Sequence, residues 1–130
     1  MGAWGTAAFD NDDASDWFYE LEGGGLSSLE AAFDEALDAD DLAGPTDVSA
    51  IAAAEVVAAA LGRPAPGLRD DVAAVAAGLS SKVTPDLAER ARAAAERVLA
   101  SSEVAELWAE SDDADEWRRG VEDLIGRLAA

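Results

Sequence analysis

Apolar residues recur at three- and four-residue spacings along most of the chain and show no convincing two-residue alternation, so the pattern predicts helices and no sheet. Ala14, Trp17, Phe18 and Leu21 mark one face of a short first helix, started by Asp12 or Asp13 and stopped by Gly23-Gly24-Gly25. Leu29, Phe33, Ala36 and Leu37 form the stripe of a second helix that Ser27 or Ser28 would cap. Asp38, Asp40 and Asp41 oppose the helix dipole at its C-terminal end, which is therefore expected to fray before Gly44-Pro45.

Thr46 reads as the N-cap of a third helix running to Leu61. This stretch is apolar nearly all round, the pattern of a central, buried helix, and Gly62 closes it. A weaker fourth helix spans Leu68 to Leu79, with Leu68, Val72, Val75 and Leu79 on one side. Thr84-Pro85 is a strong start signal, an N-cap followed by proline at the first helical position, for a fifth helix to about Ala100. A short helix would hold Val104, Leu107 and Trp108. The last carries the cleanest stripe, Trp117, Val121, Leu124, Ile125 and Leu128. Its outer face places Asp115, Arg119, Asp123 and Arg127 at four-residue steps, acid before base. The expected architecture is all-α, a compact bundle of six or seven short helices in a single domain over residues 1–130.

Trp4 and Phe9 fall outside every helix in a glycine-rich opening. A tail without a fixed structure rarely carries two large aromatics, so this segment is expected to be an ordered arm packed near Trp108 or Trp117. The windows Asp12–Trp17 and Asp112–Trp117 are similar, and good capping chemistry explains that echo without an internal repeat.

Composition narrows the chemistry. The 130 residues include no cysteine and no histidine, which removes disulfides, thiolate metal sites, the commonest neutral-pH base and the commonest transition-metal ligand. Residues 1–62 carry fourteen acids and no Lys or Arg, and all nine bases follow. With a net charge of −19, nucleic acid and anionic membranes are poor partners, whereas a basic protein suits the charge. Solubility alone, or host composition bias, would also account for it. No apolar run is long enough for a membrane span and no signal peptide is visible, so a cytoplasmic protein, monomeric or dimeric, is expected. Gly2 with Thr6 fits a myristoylation pattern, but the acidic residues that follow oppose membrane anchoring, and Gly2 is read as permitting removal of Met1.

No motif assigns a catalytic residue, a metal or a cofactor. Asp10, Asp12, Asp13 and Asp16 fail the calcium-loop spacing, because Ser15 stands sixth and Leu21 twelfth from Asp10. Gly23-Gly24-Gly25 lacks the Gly-Lys-Ser/Thr of a phosphate loop. Glu55 is the one charge that stands out, since on a helical wheel it lies between Val48, Ile51, Ala52 and Ala59. A carboxylate there is either a hydrogen-bond acceptor for a backbone or tryptophan N–H, or a binding or reacting acid. Trp4, Phe9, Asp10, Asn11, Asp12, Trp17 and Glu55 form the candidate binding set.

Ala3-Trp4-Gly5-Thr6, Phe9-Asp10-Asn11-Asp12, Ala14 and Asp16-Trp17 resemble the N-terminal signature of the bacterial family called domain of unknown function 4259. Ala60-Leu61-Gly62, Leu107-Trp108 and Glu116-Trp117 are similar to later features of that family, and Ala7 stands where many members have Gly. The resemblance brings no catalytic residues. Two functions follow as expectations. The first is a non-catalytic acidic protein-interaction module, with an inhibitor- or immunity-like protein as a special case. The second is a carboxylate-dependent enzyme or small-molecule binder built on the Trp-rich N-terminal region.

Overall fold

A computed structural model describes residues 12–38, 44–65, 67–100, 109–110 and 114–129. The expected N-terminal arm and the short helix with Leu107 and Trp108 lie outside the described residues. Among those described there are six helices and no strand: α1 (Asp12–Gly24), α2 (Leu26–Asp38), α3 (Gly44–Ala60), α4 (Asp70–Leu79), α5 (Pro85–Ala100) and α6 (Ala114–Ala129). The fold is an all-α bundle, as the periodicity predicts.

α3 touches each of the other five helices. Its middle is covered on every side as a result, and Ala50 through Ala58 are buried without interruption. Alanine dominates this stretch, so the backbones around it can approach closely, and the large side chains come from its neighbours. Phe18 and Leu21 of α1, Leu29 and Phe33 of α2, Val98 of α5 and Leu124 of α6 are among the side chains that fill the core.

The helix ends show where local chemistry decides. Gly62 has φ 86°, and the bonds Gly62 N to Ala59 O (3.0 Å) and Arg63 N to Ala58 O (2.9 Å) close α3 in a Schellman turn, as the glycine predicts. Thr84 Oγ1 accepts the Leu87 N–H at 3.1 Å ahead of Pro85, the expected cap of α5. Thr84→Ala is expected to lower stability by about 1 kcal/mol, read as a shifted urea midpoint with an unchanged m-value.

Three expectations need correction. Gly23 and Gly24 belong to α1, and only Gly25, at φ 58°, turns the chain. Ser27 and Ser28 do not cap α2: their hydroxyls donate back to Gly24 O (2.8 Å) and Glu20 O (3.2 Å), carbonyls at the end of α1. α3 begins at Gly44, ahead of Thr46. In the last turn of α2, Arg97 of α5 donates to Ala36 O (2.7 Å) and Leu37 O (2.8 Å), a cation at a helix C-terminus, while Asp40 and Asp41, on which the expected fraying also rests, lie outside the described residues.

Candidate functional site

Glu55 is 5% exposed on the central helix, and the donor it meets is an arginine rather than either the backbone N–H or the tryptophan N–H considered from the sequence. Arg127 Nη2 donates to Glu55 Oε1 at 2.6 Å. The same guanidinium donates through Nε to Asp123 Oδ2 (2.8 Å) and through Nη1 to Arg63 O (3.0 Å). Arg63 reciprocates, with Nη1 on Arg127 O at 2.8 Å. Glu55, Arg63, Asp123 and Arg127 thus join the middle of α3, the turn that ends it and the last turns of α6.

The outer-face assignment of Arg127 is therefore wrong. Its i, i+4 bond to Asp123 is present, but its side chain is only 16% exposed because it turns inward to Glu55. Arginine's long stem lets its head reach a depth that the position of its Cα on the wheel does not indicate. The available signal was the acid in the apolar middle of α3, which requires a buried donor somewhere in the chain.

Burial pushes the Glu55 carboxyl above its ordinary range, and the hydrogen bond and charge of Arg127 only partly offset this. For Arg127, burial works against the cation, but the bonds and charges of Glu55 and Asp123 outweigh it and raise its pKa. With its charge engaged and its side chain away from water, Glu55 is placed as a structural anion more than as a reacting acid.

The rest of the candidate set is not gathered around it. Trp17 is buried in the core, and Asp12 is the first residue of α1. Trp4, Phe9, Asp10 and Asn11 lie outside the described residues. A second buried acid escaped the sequence reading as a core residue: Asp47, in the first turn of α3, has no exposed surface. Its position suits a carboxylate beside a helix N-terminus. Among the described residues no group of three or more acids is arranged to hold a metal ion, and no helix is long and apolar enough to cross a membrane.

Two surfaces remain. α1 and α2 present Asp16, Glu20, Glu22, Glu30, Asp34, Glu35 and Asp38, all exposed, and Tyr19 stands among them at 71% exposure. Arg90 pairs with Asp34. Among the described residues no base lies within ion-pair distance of Asp16, Glu20, Glu30, Glu35 or Asp38. The other surface is an open groove of about 490 Å³ where the end of α3 meets α5 and α6, with Leu61, Val83 and Leu128 beside Arg63, Glu89 and Arg92.

A family model described as domain of unknown function (DUF4259) matches residues 2–120 of the chain. No curated protein and no solved structure matches it.

Proposed function

We propose that the chain, which belongs to the family described as domain of unknown function (DUF4259), is a non-catalytic interaction module that docks a basic segment of a protein partner on α1 and α2. The observation that carries this reading is the exposed surface of α1 and α2, which bears seven exposed carboxylates and one exposed aromatic, Tyr19. Such a surface suits lysines and arginines, through ion pairs with the acids and cation–π contact with Tyr19. An aromatic at 71% exposure is otherwise a solubility cost in a chain whose other described large apolar side chains are at least half-buried. An inhibitor or immunity protein would be one form of this role, acting inside the cell.

The test is capture of partners by the tagged full chain, compared with a variant carrying Tyr19→Ala, Glu20→Gln, Glu22→Gln and Glu30→Gln. A protein retained by the parent, released by salt and lost to the variant is the expected result. Equal capture by both, or none by the parent, would overturn the assignment of this face.

A further inference from the structure

The groove between the end of α3, α5 and α6 has a chemistry opposite to that of the rest of the molecule. In a chain with only nine bases against 28 acids, two of those bases, Arg63 and Arg92, line one concavity. Glu89 is the single acid among the lining residues. Leu61 and Val83 remain half-buried there, so apolar surface lies beside the two guanidinium groups.

Arg63 is also held in place. The Schellman turn at Gly62 sets its backbone, and its Nη1 donates to Arg127 O at 2.8 Å. Arg127 is in turn fixed by Glu55 and Asp123 and returns a bond to Arg63 O. The buried Glu55 network therefore fixes one cation at the edge of an apolar concavity, and pre-organisation of this kind reduces the ordering cost of binding. Arg92 is less constrained. Its nearest carboxylates, Glu89 and Glu96, stand at 3.8 Å, beyond hydrogen-bonding distance. Its donors are thus open to a better-placed anion.

We propose that this groove binds a small organic monocarboxylate, with its carboxylate between Arg63 and Arg92 and its apolar body against Leu61, Val83 and Leu128. The volume of about 490 Å³ suits a metabolite-sized molecule. A guanidinium's planar fork of donors favours a planar carboxylate over a spherical anion, and two guanidinium groups line this groove. The site uses other elements than the α1–α2 face, so either assignment can fail without the other.

Sodium octanoate is the probe, titrated into the full-length chain while backbone amide shifts are followed by NMR. Octylamine hydrochloride and sodium sulfate at matched ionic strength are the controls. Saturable shifts at Leu61, Val83 and Ala88 with octanoate, and none with either control, are expected. Arg92→Gln and Arg63→Gln should each weaken binding by roughly tenfold or more, the scale of one charge-assisted hydrogen bond. If Arg63→Gln unfolds the chain, the half-exposed Arg92 still decides the matter. Absence of saturable shifts at these amides, equal binding of octylamine or sulfate, or an Arg92→Gln affinity equal to the parent's would overturn the proposal.

Discussion

Arg127→Met is expected to lower stability by about 3 kcal/mol or more, because it leaves Glu55 charged, buried and without its donor. The carboxylate cannot relax to solvent from the middle of α3, where its neighbours from Ala50 to Ala58 are covered on every side. Replacing both partners, as Glu55→Leu with Arg127→Met, removes the uncompensated charge and should recover most of the loss, since apolar replacement of a buried pair is often neutral or better. The pH dependence carries a second signature. Burial raises the Glu55 pKa above its ordinary 4.5, so the folded chain binds that proton more tightly than the unfolded one. This contribution to stability is therefore greatest at low pH and declines as pH climbs from the ordinary carboxylate range through the raised folded value. Glu55→Gln should abolish that decline, measured as the difference from the parent in urea melts at stepped pH. In Arg127→Met the decline should extend to higher pH, because the hydrogen bond and charge that pull the Glu55 pKa down are gone. A single variant within about 0.5 kcal/mol of the parent, the range of ordinary surface changes, would show that the network carries no weight.

The same arginine shows where sequence reasoning reached its limit. Signals contained within one helix were legible: the all-round apolar pattern of α3, the Thr84-Pro85 start of α5, the Gly62 stop and the Trp117-Val121-Leu124-Leu128 stripe all reappear in the structure. What could not be read was the reach of long side chains between helices. Arg69 sets its guanidinium 5.7 Å from the Phe18 ring of α1 and donates to Ser15 Oγ at 3.2 Å. Arg90 and Arg97 reach α2, and Arg127 reaches α3. Each comes from the half of the sequence that holds every base and ends on a helix from the half that holds none. The charge asymmetry that looks like a property of surface and solubility is thus also a tertiary device: the second half supplies cations and donors to the acids and helix-end carbonyls of the first. The sequence shows the asymmetry, but only the packing of α4, α5 and α6 against α1, α2 and α3 shows which arginine meets which acceptor. The candidate site was correspondingly half-legible, with Glu55 visible as an anomaly and Arg63 and Arg127 invisible as its companions.

Phe33→Ala is expected to cost about 3–5 kcal/mol, as for other fully buried aromatics. Phe33 has no exposed surface on α2, and α3 and α5 both pack against that helix. The alanines that line α3 have no rotamers with which to fill the space a lost ring would leave, so the cavity should persist instead of collapsing. Tyr19 is the internal control. At 71% exposure it contributes little buried area, and Tyr19→Ala should leave stability within about 0.5 kcal/mol of the parent. Urea denaturation followed by far-ultraviolet circular dichroism separates the two, a probe suited to a chain whose described regular structure is helical throughout. A loss below about 1 kcal/mol for Phe33→Ala would mean that the bundle repacks freely and that α2 is not fixed by its aromatic. A large loss for Tyr19→Ala would mean that this side chain is structural, and the docking face proposed on α1 and α2 would lose its aromatic anchor. Stability that follows Phe33 while partner capture follows Tyr19 is the combination expected if α1 and α2 turn one side to the core and the proposed docking surface lies on the other.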